Sequence, residues 1–531
     1  MNEVAELQAE VERLRAALAK ATADNVTLER QNTSLLERLN IELAKRYGPS
    51  SERVDESQLS LFNEAEADVE EEVGDELGSE TPTAASANRP TPRRRGKRAL
   101  PEELERIEVR HELAEDERQC PHDGATLAVI GEQASEQLDI VPAKVRVLRH
   151  VQVKYACPRC REHAVTAPKP HSPIPGSQVS PGLLAHVAIS KYLDHWPLYR
   201  QGQVFERMGA VMHRSTMSQW MRKAGALVQP LINLLEDETL AQPYLHMDET
   251  TVQVLKEPGK TAESQSYMWV RVSGNRQRPV VLFDYDPTRS REVPRKLLAG
   301  FSGVIQCDGY SGYDAAIGEY GLLSAGCWAH ARRRFDEVFK AAGINPNKPI
   351  PKRKKPPTAV RKAAFALQRM KTLFAIEHRL RDASVEQRKS VRQQDSAPIV
   401  AQLRLWLDET RPVVAPKTKL GLALGYLDRQ WPRLTVFLAH GEVEMTNNIA
   451  ENAIRPFAVG RKNWLFSDSQ AGARSSANIY GLLQTAKANN LEPYGYLKYI
   501  FEQLPQVTEA DNFETLLPWN VDRHDIIRRA I

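Results

Sequence analysis

Apolar residues recur every seven positions over residues 4–39, and this is the first regular pattern in the chain. The first register consists of Val4, Val11, Leu18, Asn25, Asn32 and Leu39. The second register consists of Leu7, Leu14, Ala21, Leu28 and Leu35. This spacing is typical of a heptad repeat, in which asparagine at position a lowers stability but fixes a paired, in-register assembly. It predicts a dimerising coiled coil over residues 1–46, and a single amphipathic helix packed on the body is the alternative.

The periodicity changes in the next part of the chain. Short strand-like runs such as "IEVRHEL" and "VRVLRHVQVKYAC" predict a small β-rich module over residues 101–172. Residues 173–238 return to helical spacing, and "HWPLYRQGQVFERMGAVMHRSTMSQWMRKAG" predicts two helices joined by a short turn at Gly209. Ser215 is the predicted cap of the second helix. This helix-turn-helix-like region offers polar side chains for DNA binding: Arg214, Gln219, Arg222 and Lys223.

Four strand-like runs then predict a mixed sheet. They are "PYLHMDETTVQVL", "SYMWVRVSG", "RPVVLFDYD" and "SGVIQCDGYSGYD", with a helical crossover, "SREVPRKLLAG", before the last. This sheet occupies residues 239–329, a mostly helical stretch follows at 330–440, another helix lies within 441–490, and 491–531 form a helical tail. The fold class is multidomain α+β.

Charge is sorted along the 531 residues, although the net charge is only +4. Acidic residues are concentrated before residue 80 and basic residues after 89, which predicts a disordered linker at 47–100 and a body that binds a polyanion. The run "RPTPRRRGKR" fits a phosphate backbone and equally a solvated linker. Five cysteines do not resemble a secreted disulfide framework, and no apolar run approaches the roughly 18 residues of a membrane span. We therefore expect a cytoplasmic, nucleoid-associated protein that does not enter a membrane.

Three separated acids are candidates for catalysis. Asp248 lies in a strand pattern that disfavours aspartate, Asp308 precedes Gly309 as in an Asp-Gly turn, and Glu451 follows Asn448 at capping-box spacing. Together they could meet at one sheet edge and hold two Mg²⁺ or Mn²⁺ ions, which prefer oxygen ligands. Spacing alone leaves four neighbouring acids open: Glu249, Asp284, Asp286 and Asp314.

Four segments carry a resemblance to a known family. They are "HMDET", "CDGYSGYD", "GCWAHARRRF" and "TNNIAENAIRPFAVGRKNWLFSDSQAGARSSANIYGLLQTAKANNLEPYGYL". Three more segments add to it: "RYGPSSER", "SEQLDIVPAKVRVLRHVQVKYACPRC" and "HWPLYRQ". Together they resemble the bacterial insertion-sequence sixty-six transposases over nearly the whole chain. Those proteins are of the DDE class and have a ribonuclease-H-like catalytic core with an all-helical insertion.

The resemblance implies that Asp248, Asp308 and Glu451 are the three catalytic acids and the Mg²⁺ or Mn²⁺ ligands. His330, Arg332 and Arg333 would support catalysis or contact DNA, with a basic helix face and a core histidine as the alternative. Arg455, one helical turn after Glu451, would orient it. A phosphate backbone would be held by Arg461, Lys462 and Asn463. Trp464 would belong to the core in preference to stacking on a base.

The resemblance also implies a zinc-finger-like module. "CPRC" supplies Cys157 and Cys160 at zinc spacing, but "CPHD" supplies Cys120 followed by His122 or Asp123 in place of a second cysteine. Zinc binding and a β-module with merely buried cysteines both remain open.

The function implied is a transposase that binds terminal inverted repeats and joins them to target DNA. It would act as a homodimer or larger assembly, with two small accessory proteins encoded beside it. Two alternatives remain: a catalytically silent DNA-bridging regulator, and a ribonuclease-H-like nuclease or resolvase that cuts without strand transfer.

Overall fold

The computed structural model describes residues 144–156, 164–345, 356–507 and 510–530, together with helical positions between residues 10 and 35. In that N-terminal helix the side chains of Leu14, Leu18, Leu28 and Leu35 are each at least 60% exposed. All four occupy the a or d positions of the predicted heptads. Residues 144–148 are the described part of a separate compact unit and are exposed.

A short hairpin and a helical region precede the main sheet. The hairpin pairs β1 (Lys154–Ala156) with antiparallel β2 (Ala164–Thr166). The helices are α1 (Pro181–Tyr192), α2 (Leu198–Arg207), α3 (Arg214–Leu227) and α4 (Gln229–Leu240).

The predicted turn between α2 and α3 contains Gly209 in a left-handed conformation, with φ of 83°. The predicted cap is wrong: α3 begins at Arg214, and Ser215 already lies within its first turn. The N-cap residue is His213, whose backbone oxygen accepts the Met217 N–H at 3.2 Å. That helical bond starts the helix before Ser215.

The mixed sheet has the strand order β5-β4-β3-β6-β7. Its strands are β3 (Tyr244–Lys256), β4 (Gln265–Ser273), β5 (Val281–Asp286), β6 (Val304–Gln306) and β7 (Leu323–Ala325). The first three are antiparallel, whereas β6 and β7 run parallel to β3. The crossover before β6 contains α5 (Glu292–Leu297), and α6 (Asp314–Tyr320) precedes β7. The predicted mixed sheet with helices is therefore confirmed.

Helices of the middle region pack around a cluster of their own beside β6 and β7. They are α7 (Trp328–Ala341), α8 (Thr358–Arg379), α9 (Val385–Val391), α10 (Ala397–Thr410) and α11 (Lys419–Leu434). A short π-helical turn, Arg392–Ser396, joins α9 to α10. The chain then returns towards β3. The Trp328 N–H, at the start of α7, donates to the Met445 oxygen of this returning segment at 3.1 Å.

The last elements cover one face of the sheet and the preceding helices. They are α12 (Asn448–Trp464), β8 (Ser467–Ser469), α13 (Gln470–Ala488), α14 (Pro493–Gln503) and α15 (Arg523–Ala530). β8 runs parallel to the far end of β3. Even-numbered residues of β3 and β4, such as Val252 and Val270, share a core cluster with α12 and α13. Odd-numbered residues such as Met247 and Trp269 face the opposite cluster, so an even-numbered acid on β3 lies on the α12 face.

Candidate active site

Two of the predicted acids lie near the same edge of the sheet, Asp248 within β3 and Asp308 in the turn that follows β6. His246 of β3 pairs with Gln306, the last residue of β6, and the charge of Asp308 two residues later contributes to the raised pKa of Asp248. Asp308 also forms the predicted turn: Gly309 has φ of 89°, and the Tyr310 N–H donates to Asp308 Oδ1 at 2.9 Å. The turn and the catalytic interpretation of Asp308 are therefore compatible.

The third acid, Glu451, is carried by the first turns of α12 and is only 2% exposed. The predicted capping box is wrong, because the N-cap residue is Asn447 and its side chain makes no capping bond. Instead, Asn447 Nδ2 donates to the Met247 oxygen at 2.8 Å, and Asn447 Oδ1 accepts from His246 Nδ1 at 3.1 Å. These contacts fasten the start of α12 to β3 beside Asp248.

The acids share one electrostatic environment. Burial raises the pKa of Asp248 well above its ordinary value, and the charges of Glu249, Glu451 and Asp308 raise it further. Burial and Asp308 also raise the pKa of Glu249. Each of these carboxylates makes ionisation of the others less favourable, and a multivalent cation would stabilise the ionised group.

Of the four neighbouring acids that spacing left open, Glu249 is the one that lies at the site. It lies on the opposite face of β3 from Asp248 and its side chain is 2% exposed. Arg289 Nε donates to its Oε1 at 2.8 Å, and the Tyr313 hydroxyl donates to its Oε2 at 2.6 Å. Glu249 therefore has structural partners while adding negative charge beside Asp248 and Asp308.

The other three neighbouring acids have different partners. Asp284 accepts from Nε of the buried Arg271 at 3.0 Å, and Asp286 accepts from the Thr288 N–H at 2.7 Å. Asp314 forms an ion pair with Arg433. Each of these carboxylates has a local structural explanation.

Two of the predicted α7 side chains lie near Glu451. His330 Nδ1 is 3.8 Å from Glu451 Oε1, and an Nη atom of Arg333 is 3.8 Å from Oε2. Burial, together with the charge of Arg333, lowers the pKa of His330 to about 4, so its imidazole is neutral at pH 7. The Arg332 guanidinium instead lies over the Phe374 ring at 5.8 Å. Arg455 is partly buried on α12.

A cysteine at this site was not among the sequence candidates. The ligand atoms of Cys327, His330 and Glu451 all lie within 4.8 Å of one another. Cys327 Sγ accepts the Asn447 N–H at 3.2 Å, and burial with the nearby charge of Glu451 raises the pKa of this thiol to about 12. The sequence signal was the position of Cys327 three residues before His330.

The predicted DNA-contacting residues lie in two places. Four are exposed along α3: Arg214, Gln219, Arg222 and Lys223. Lys462 and Asn463 are exposed at the end of α12. Arg461 is partly buried, and its Nη1 donates to Thr251 Oγ1 at 2.7 Å, which fastens this end of α12 to β3. Trp464 packs on the core as expected, with its ring centroid 5.4 Å from that of Phe457.

The predicted zinc ligands lie outside the described residues: Cys120, His122, Asp123, Cys157 and Cys160. None of the helices that the structure describes is long and apolar enough to cross a membrane.

Comparison with known proteins identifies family models along the chain. A family model described as "Transposase IS66 family" matches residues 176–475. Further models match 117–161 ("zinc-finger binding domain of transposase IS66"), 481–519 ("IS66 C-terminal element") and 34–109 ("Transposase C of IS166 homeodomain"). No solved structure matches the chain.

Similar proteins come from Sinorhizobium fredii (strain NBRC 101917 / NGR234). The uncharacterised protein y4qI is 33% identical over 530 residues, covering 95% of this chain and 93% of its own length. The uncharacterised protein y4hP is 31% identical over 502 residues, covering 92% of this chain and 88% of its own. Because the family model alone spans more than half of the sequence, the chain belongs to the IS66 transposase family, and a transposase role with DNA binding follows from that membership.

Proposed function

We propose that this protein is a DDE-type transposase that cleaves DNA at the terminal inverted repeats of its element and joins the freed ends to target DNA. The observation that supports the proposal is the closeness of Asp248 to the other two acids, since the charges of Glu451 and Asp308 both raise the pKa of Asp248. The mixed sheet with an acid on β3 and another after β6 also supports a ribonuclease-H-like core. The regulator alternative gains no support from this site, because all three acids are retained.

The three acids would hold two divalent ions, Mg²⁺ or Mn²⁺. The donor set fits, since it offers only carboxylate oxygens and its negative charges oppose one another. When bound, such a pair of ions activates an attacking oxygen and stabilises a leaving oxygen in phosphoryl transfer. Cys327 and His330 lie at the edge of this set and would not be preferred ligands of Mg²⁺.

The reaction would proceed in two displacements at each element end. Water first attacks the phosphodiester, and the bond from phosphorus to the 3′ oxygen breaks, leaving a 3′ hydroxyl. That hydroxyl then attacks a target phosphodiester, a new phosphorus–oxygen bond forms, and the target 3′ oxygen departs. Neither displacement needs a covalent enzyme intermediate.

The chain's own residues would orient the DNA and shape the site. Arg333 brings positive charge near Glu451, suited to a scissile phosphate, and Arg455 on α12 would support Glu451. Arg332 lies over the Phe374 ring and would contact DNA only away from Glu451. His330 is neutral and could accept a hydrogen bond or a proton there. Lys462 and Asn463 are exposed to contact a phosphate backbone, while Arg461 positions the end of α12.

Element-end recognition is proposed for the helix-turn-helix-like region and the cysteine module. The exposed side of α3 would contact base edges and phosphates. The family match over 117–161 supports a zinc finger, with Zn²⁺ held by the predicted cysteine, histidine and aspartate candidates. The exposed a and d leucines of the N-terminal helix support pairing of two protomers. Two accessory proteins would complete the assembly.

The test is a strand-transfer assay with labelled element-end DNA, a plasmid target and Mg²⁺ or Mn²⁺, with and without the accessory proteins. Wild type should form joined product, whereas Asp308→Asn and Glu451→Gln should lower it by at least about a hundredfold. Asp382→Asn, which changes an exposed aspartate away from the site, is the matched control. Equal product from the acid variants would refute the assigned trio. Cutting without joining would favour the nuclease or resolvase alternative, and end binding with no reaction in any mixture would favour the regulator.

A further inference from the structure

An arginine that is not among the sequence candidates lies beside the acids. Arg289 belongs to the loop between β5 and α5, and its guanidinium lies over the ring of Tyr310, 3.9 Å from the centroid. The Tyr310 N–H in turn donates to Asp308 Oδ1 at 2.9 Å. On the other side, Arg289 Nε donates to Glu249, whose own backbone N–H donates to Asp248 Oδ1 at 2.9 Å. One intervening residue therefore separates Arg289 from Asp248, and another separates it from Asp308.

The side chain of Arg289 is held in place but keeps a free donor group. Its Nε and Nη2 both donate to Glu249 Oε1, and the Tyr310 hydroxyl donates to the Arg289 backbone oxygen. No residue in the described part of the chain accepts from Nη1. A guanidinium carries five N–H donors in a fixed, planar fork, so Arg289 can donate to a further acceptor without leaving Glu249.

Two other arginines show what a purely structural role requires in this protein. Arg271 and Arg392 are 1% and 0% exposed, and Nε, Nη1 and Nη2 of each donate to acceptors within the protein. Arg289 differs in both respects, since its side chain is 39% exposed and its Nη1 is left over. Neutralising the buried Glu249 needs neither of these features.

The charges around Arg289 favour an anion once cations bind the acids. Burial lowers the pKa of Arg289, but the charges of Glu249 and Asp308 and the bond to Glu249 outweigh burial and raise it. The guanidinium is therefore always positive. The carboxylates by themselves would repel a phosphate, and divalent ions bound to them would offset that repulsion. A phosphate oxygen is then the acceptor that suits the free side of an arginine fork.

We propose that Arg289 donates to a DNA phosphate at or beside the bond that is cleaved, and that Glu249 and Tyr310 position it. The inference rests on the proposed function, because that function is what brings DNA to the three acids. It also gives Glu249 a role: its carboxylate fixes the orientation of the arginine and need not be a ligand of the ions.

The experiment is a double-substitution cycle on DNA binding by the full-length protein. Labelled element-end DNA carries an uncharged methylphosphonate at one phosphate at a time, and Ca²⁺ replaces Mg²⁺ as an ion that also prefers carboxylate oxygens. Arg289→Ala should weaken binding to unmodified DNA about tenfold, but less than about twofold when the contacted phosphate is neutral. Arg528→Ala, which removes an exposed arginine near Asp525 on α15, should match wild type on every DNA.

A second pair of variants separates a lost contact from a disturbed fold. Arg289→Ala leaves the buried Glu249 without its cation, which is costly. Glu249→Gln removes that charge, so adding Arg289→Ala to Glu249→Gln deletes the arginine without leaving a buried charge unpaired. The same phosphate should be identified in this background. A loss of affinity that is equal at every phosphate, or no loss in either background, would overturn the proposal and leave Arg289 as a counter-ion of Glu249.

Binding and joining are measured separately, so the two proposals can fail separately. If one phosphate couples to Arg289 but no joined product forms in Mg²⁺ or Mn²⁺ in any mixture, the contact stands and the proposed function is refuted. If joined product forms and no phosphate couples to Arg289, the proposed function stands and the contact is refuted.

Discussion

Asn447 Nδ2 donates to the backbone oxygen of Met247 at 2.8 Å, across 200 residues of sequence. The same side chain accepts from His246, and the Asn447 backbone N–H donates to Cys327 Sγ. One fully buried residue therefore connects β3, the start of α7 and the start of α12. These are the elements that carry Asp248, His330 and Glu451.

Asn447→Ala should consequently damage both stability and function. It leaves the Met247 oxygen and His246 Nδ1 without their partner inside the protein, and we expect the free energy of unfolding to fall by about 2 to 4 kcal/mol. Joined product should fall by more than the folded fraction does, because Glu451 loses its fixed position. Urea unfolding and strand transfer measure the two effects. Asn233→Ala, at an exposed position on α4, is the control. If Asn447→Ala lowered the free energy of unfolding by less than about 1 kcal/mol and kept full activity, this role of Asn447 would be contradicted.

The sequence and the structure agree best where the information is local. Neighbouring residues were enough to predict the strand β3 and the crossover before β6, and the Asp-Gly pair was enough to predict the turn at Asp308. The capping box was wrong because Asn447 bonds across to β3, a contact that no local spacing reveals. Cys327 was missed for the same reason, since only the fold brings it to Glu451. The motif resemblance supplied the pairing of the distant acids, which composition and periodicity could not.

The raised pKa of Asp248 predicts a metal-dependent stability. In EDTA the folded protein retains this proton above the ordinary aspartate pKa, so folded wild type binds more protons than the unfolded chain. Its stability should fall as pH rises from about 4 through the raised pKa, by at most about 1.4 kcal/mol per pH unit for this group. The Asp248→Asn variant has no carboxyl group to ionise at this position and so does not lose stability in this way. It should therefore be more stable than wild type at pH 7 in EDTA.

Thermal unfolding across pH, with EDTA or with Mg²⁺, checks this prediction. The gap between Asp248→Asn and wild type should widen with pH in EDTA. Added Mg²⁺ should narrow it by stabilising wild type, because an ion that binds the folded state shifts the unfolding equilibrium. Asp382→Asn should follow wild type throughout. A variant less stable than wild type in EDTA at pH 7 would show that Asp248 has favourable partners in the metal-free protein.

Zn²⁺ should inhibit strand transfer through Cys327. Sulfur, nitrogen and oxygen ligands within 4.8 Å suit Zn²⁺ better than Mg²⁺, and an ion held there would take Glu451 from the catalytic set. Cys327→Ser removes the sulfur and should raise the Zn²⁺ concentration for half inhibition about tenfold or more. Inhibition should strengthen with pH, because binding must displace a proton from a thiol whose pKa is about 12. The cysteine module is unchanged in this variant, so equal Zn²⁺ sensitivity of both proteins would assign the inhibition elsewhere.

The exposed basic side chains of α3 predict a measurable electrostatic share of DNA binding. Arg222 and Lys223 follow one another near the end of the helix, while Met221 and Ala224 on either side are buried in the core. Arg222→Ala and Lys223→Ala should therefore leave the fold intact and weaken binding to element-end DNA. If each side chain neutralises one phosphate, each substitution should reduce the slope of log K against log salt by about 0.9. Lys296→Ala, which changes an exposed lysine on α5, should keep the wild-type slope. A loss of affinity confined to element-end DNA, with the slope unchanged, would instead assign the side chain to base recognition, and an unchanged affinity would remove α3 from the DNA interface.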